Sequence, residues 1–96
     1  MKENQPQREY IEDVDVLEEE KTTDSFNLIV FNDEVNTFEY VIQTLIEVCG
    51  HSPNQAEQCT LIIHFRGKCP VKKGDFDTLV PFRNEICRRG ISAEIQ

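Results

Sequence analysis

Gly50, His51, Ser52 and Pro53 close one helical pattern and open another with almost no chain between them. Upstream, apolar residues recur at Phe38, Val41, Ile42, Leu45, Ile46 and Cys49, the i, i+3, i+4 spacing of an amphipathic helix, and Gly50 stops it. Downstream, Ser52 reads as an N-cap, Pro53 takes the first helical position and Gln55 the third. Ala56, Cys59, Ile62 and Ile63 supply the inner face of this second helix, and Gly67 marks its end. The chain is thereby committed to a tight helical hairpin whose apolar faces need a common partner.

Strands on either side can provide it. The run FNLIVF, residues 26–31, is short, β-branched and aromatic and stops at the turn-forming pair Asn32-Asp33. Asn36 stands three residues before Glu39, a variant capping box that would start the first helix near Thr37. After Gly67, KCPVKK predicts a short strand at a sheet edge or bend, because Pro70 lacks a ladder donor. Asp75 or Asp77 can cap a third helix containing Leu79, Phe82, Ile86 and Cys87, provided that Pro81 falls in its first turn. Ile91, Ala93 and Ile95 alternate with polar residues as a half-buried strand. The order βααβαβ implies an α+β sandwich: a small, mostly antiparallel three-stranded sheet with three helices on one face.

At 96 residues the chain suits one small domain. Its net charge of −8 is concentrated at one end: residues 1–25 hold nine Asp/Glu against three Lys/Arg, whereas residues 26–96 hold nine against seven. The first 25 residues are therefore predicted to be a disordered acidic arm, with short helical character around Val14 to Lys21, ahead of a core domain at 26–96. Without a basic stripe, nucleic-acid binding is not expected. No apolar run approaches the roughly 20 residues of a membrane span, and the N-terminus carries no signal-like stretch, so a cytoplasmic location is expected. Cys49, Cys59, Cys69 and Cys87 are widely spread and form no C-x-x-C pair, which predicts reduced, mostly buried thiols and no metal site.

The chemistry gathers at two places. Asn32-Asp33-Glu34 forms an acidic turn after the first strand, and His64 interrupts the apolar run LIIHF. Asn32 offers a carbonyl oxygen, Asp33 a carboxylate and a neutral His64 a ring nitrogen, three acceptors that could converge on the three N–H donors of an ammonium group. A free protein N-terminus has that chemistry.

The segment LIVFNDEVNTFEYVIQTL, followed by QAEQCTLIIHFRGK, resembles the ClpS adaptors, which recognise N-terminal degrons and deliver substrates to a Clp-type AAA+ unfoldase. The resemblance covers residues 26–73 well and continues more loosely to the end of the chain. It implies a ClpS-like fold, no enzymatic activity and no cofactor. It also implies that Asn32, Asp33 and His64 hold the substrate α-amino group, that Glu34 and Asn36 lie at the rim and contact the substrate backbone, and that Phe38, Val41, Thr60 and Ile63 line the pocket for the first side chain. Phe38 and Thr60 stand where many relatives carry methionine. The implied partners are N-degron peptides and the N-terminal domain of the unfoldase, with the adaptor expected to be a monomer and the acidic arm either a solubilising tail or, as the resemblance implies, a segment that engages the unfoldase. An alternative is an interaction module that keeps the fold and docks on an unfoldase or another protein without reading N-termini. An enzyme has little support: Cys59 and His64, five apart on one helix, do not set up a thiolate–imidazole pair, and no phosphate loop or nucleophile elbow occurs.

Overall fold

The computed structural model describes residues 25–96, so the expected acidic arm, its helical stretch and its role lie outside the described residues. Six elements follow in the expected order: β1 (Phe26–Phe31), α1 (Phe38–Cys49), α2 (Pro53–Arg66), β2 (Lys68–Gly74), α3 (Phe76–Arg88) and β3 (Ala93–Ile95). The sheet has the order β2-β1-β3, and both pairings are antiparallel. Pro70 lies on edge strand β2, beside a register irregularity opposite Leu28 and Ile29, where a missing N–H costs little.

One face of β1 organises the core. Leu28 and Val30 are fully buried and pack with Leu45 of α1, Ala56 and Ile63 of α2, Leu79 and Ile86 of α3, and Ile91 and Ala93 near β3. The hairpin turn works as its residues suggest. Gly50 adopts φ 73°, its N–H reaching the Ile46 carbonyl at 3.1 Å, and Ser52 caps α2 by accepting from the Gln55 N–H at 3.1 Å. Between them His51 turns inward, its Nε2 2.8 Å from the Val71 carbonyl oxygen. A carbonyl only accepts, so Nε2 carries the proton, and the hairpin is riveted to β2.

Several expectations need correction. The N-cap of α1 is Thr37, which accepts from the Tyr40 N–H at 3.1 Å; Asn36 belongs to the preceding turn because its side chain is engaged there. Ile62 is exposed, and the inner face of α2 is Ala56, Cys59, Thr60 and Ile63: at 100° per residue Ile62 lies a quarter-turn from Ile63. Asp75 caps α3, which puts Pro81 inside the helix rather than in its first turn. The ring removes a partner from the Asp77 carbonyl, but both residues are exposed, so water can replace it. Cys87 faces solvent, leaving Leu79 and Ile86 as the fully buried positions of α3. All four cysteines are free, and of these Cys69 is buried and Cys49 and Cys59 half-buried.

His51→Ala should lower stability by about 2 kcal/mol, because it leaves the Val71 carbonyl without its donor and opens a void beneath the hairpin. Urea denaturation followed by circular dichroism would read this. An unchanged midpoint would refute the rivet.

Candidate functional site

The turn leaving β1 is ordered from within. The Asn32 N–H donates to the Gly67 carbonyl at 2.9 Å, which ties the turn to the C-terminal end of α2. Oδ1 of Asp33 accepts from the backbone N–H groups of Val35 and Asn36, each at 2.8 Å, and Oδ2 accepts from the Asn36 side-chain amide at 2.8 Å. The Asn36 backbone N–H and then its side chain, with a lesser part from the Val35 N–H, hold the Asp33 carboxyl below the usual carboxylate range against the opposing effect of burial. Two N–H groups fill Oδ1, and Oδ2 keeps a lone pair free.

Beside this turn lies a pocket of about 620 Å³ lined by Asn32, Asp33, Glu34, Asn36, Thr37, Phe38, Val41, Thr60, Ile63 and His64. All nine residues singled out in the sequence line it together. Thr37 completes the set, hidden by the one-residue error in the cap, since a Thr next to an Asn before a helix is an equally good cap by composition. Charge and apolarity are separated. Asn32, Asp33 and Glu34 come from the turn, whereas Phe38 and Val41 come from α1, and Thr60, Ile63 and His64 from α2.

His64 is exposed and flanked by two rings, Phe38 edge-on at 6.5 Å between centroids and Phe65 edge-on at 5.0 Å. Thr60 is buried, and its hydroxyl donates to the Ala56 carbonyl at 2.7 Å within its own helix. The substitution of a hydroxyl residue on this wall therefore places no free donor in the pocket.

Other chemistry is sparse. Burial raises the Cys49 thiol, and burial together with neighbouring Cys59 raises Cys69 to about 11, so these thiols are poor nucleophiles at neutral pH. Among the described residues no group of three or more His, Cys, Asp or Glu side chains is placed to hold a metal ion, and no helix is long and apolar enough to cross a membrane.

Residues 21–92 match the family model for the ATP-dependent Clp protease adaptor protein ClpS. The chain belongs to the ClpS family. The ATP-dependent Clp protease adapter protein ClpS of Synechocystis sp. is 30% identical over 73 residues, which cover 75% of this chain and 74% of the relative. A solved structure, Agrobacterium tumefaciens ClpS2 bound to L-phenylalaninamide, is similar in fold, with a TM-score of 0.73 and 16% identity over 76% of this chain and 95% of that one. Membership makes the chain kin to protease adaptors.

The depressed Asp33 carboxyl yields a signed expectation. Its contribution to the turn is present above the ordinary Asp pKa of about 3.9 and is lost as pH falls through the lower, folded value. A carboxyl-detected NMR titration should place the Asp33 midpoint below 3.9; a midpoint at or above that value would contradict the observed donors.

Proposed function

We propose that this pocket binds the first residue of a protein chain and that the adaptor delivers the bound protein to a Clp-type AAA+ unfoldase. The observation that carries the proposal is the meeting of Asn32, Asp33 and His64 at a pocket whose remaining wall is Phe38, Val41, Thr60 and Ile63. L-phenylalaninamide, the ligand of the Agrobacterium relative, has a free α-amino group and an apolar ring, the two features these walls can accommodate.

An α-amino group has an ordinary pKa of about 7.7 to 8.0 and is mostly protonated at neutral pH. The free lone pair on Oδ2 of Asp33 accepts one of its N–H groups, the Asn32 carbonyl oxygen a second and neutral His64 the third. Glu34 adds negative charge at the rim. An aromatic first side chain would bury roughly 150 to 250 Å², about 4 to 6 kcal/mol before ordering costs. Micromolar affinity needs about 8 kcal/mol net, so neither half of the site suffices alone. Phe38 and Thr60, in place of the methionines common in relatives, leave the pocket open, which supports N-terminal reading over an adaptor that only docks. We assign the chain to the cytoplasm, as a monomer without nucleic-acid or membrane partners, with the unfoldase N-terminal domain as its docking partner.

Peptides beginning with Leu, Phe, Tyr or Trp should bind with a free N-terminus and lose binding on acetylation, which removes the charge and two donors. Isothermal titration of both forms tests this, and equal binding would sink the amine receptor. Detectable unfoldase binding with no response to any such peptide would instead favour the docking module. Asp33→Ala should weaken free-peptide binding by about tenfold rather than more, since a half-exposed carboxylate is partly screened.

A further inference from the structure

Asn36 is placed at the rim by its position in the chain, yet its amide is already committed on both sides. Nδ2 donates to Oδ2 of Asp33 at 2.8 Å and to the Gly90 carbonyl at 2.9 Å, joining residues 54 positions apart. A primary amide has two N–H groups, so no side-chain donor remains for a bound peptide. Gly90 adopts φ 88°, a conformation that favours glycine, in the turn that closes α3. The preceding carbonyl is held as well: the Tyr40 hydroxyl donates to the Arg89 carbonyl at 2.8 Å. Arg89 itself bridges Glu47 of α1 at 2.7 Å and Glu85 of α3 at 3.0 Å. Two successive carbonyls of one turn thus receive side chains from the segment that builds the pocket.

We propose that Asn36 is a positioning residue, not a peptide contact: its amide orients Oδ2 of Asp33 toward the ammonium and latches that carboxylate to the Arg89–Gly90 turn. Deletion of the donor would let the carboxylate rotate about its side-chain bonds while Oδ1 stays on the backbone, and the acceptor offered to the amine would lose its direction. This inference rests on the reading of the pocket as an amine receptor. Charged or titratable groups on the elements around Asp33 include Glu34 in the same turn, Glu39, Tyr40 and Glu47 on α1, His64 and Arg66 on α2, Lys68 at the start of β2, and Glu85 and Arg89 on and just after α3. Arg89 is paired as described, so Asn36 is the side-chain donor to Asp33.

Asn36→Val and Asn36→Thr have nearly the same shape and both lose the Gly90 bond, but only Thr keeps a hydroxyl donor for Oδ2. Binding of a Phe-first peptide, free and acetylated, is measured for the full chain and both variants, together with the Asp33 carboxyl titration by NMR. Asn36→Val should bind the free peptide about tenfold more weakly and titrate Asp33 nearer its ordinary value, whereas Asn36→Thr should recover most of both. A merely structural role would lower the melting temperature of both variants alike without separating their Asp33 titrations. Should Asn36→Val fail to fold, Asn36→Ala against Asn36→Ser makes the same comparison. A wild type that discriminates acetylation, with Val and Thr variants indistinguishable in affinity and titration, overturns the inference alone. A wild type indifferent to acetylation overturns the receptor reading and the inference together.

Discussion

Three N–H groups converge on the carboxylate of Asp33, and the pocket takes its form from that arrangement. A charged group at the mouth of an apolar cleft would otherwise wander through rotamers or draw the turn into solvent. Here the backbone of Val35 and Asn36 fixes one oxygen and the Asn36 amide fixes the other. The turn is consequently rigid before α1 begins, and Thr37 can cap that helix at once. Phe38 and Val41 then face the same pocket as the carboxylate because helix and turn are joined without slack.

The opposite wall depends on a different economy. The second helix starts right after the first and ends at Gly67, whose carbonyl receives the Asn32 N–H. His64, one turn before that end, is carried to the side of the turn it faces. Buried Ile63 and Thr60 anchor the helix to the core, which leaves the exposed imidazole held between Phe38 and Phe65. Central strand β1 underlies all of this: Leu28 and Val30 fix the core, and the next residues along the chain are those of the turn.

Much of this was legible in local chemistry. The stop at Gly50 and start at Ser52-Pro53 need no distant partner to act, and the hairpin follows from them. The pocket residues were legible through resemblance to a family, and the fold brings all of them to one cleft. The misreadings occurred where a distant group decides. Asn36 and Thr37 are both good caps, and Asn36 is drawn off because its amide bridges Oδ2 of Asp33 in the turn and the Gly90 carbonyl at the far end of the chain. The role of His51 was not legible in the turn, because its partner, the Val71 carbonyl, lies on another element. Pro81 was expected in a first turn because an interior proline is costly, but an exposed helix face lowers that cost, and exposure is a property of packing. Ile62 and Cys87 erred in a similar way: an apolar residue near the edge of a helical stripe does not reveal whether the neighbouring element reaches it.

The hydroxyl of Thr60, turned back onto its own helix, has a consequence for how finely the pocket can choose. A wall that asks for no hydrogen bond leaves no buried polar group stranded when an ill-matched guest enters, so a poor guest forfeits only contact area. Such a wall separates side chains differing by one methylene by only about 1 to 3 kcal/mol. On the proposed reading of the pocket it would grade its guests along a slope instead of admitting one and barring the rest, and an adaptor built this way would serve a broad clientele at unequal rates.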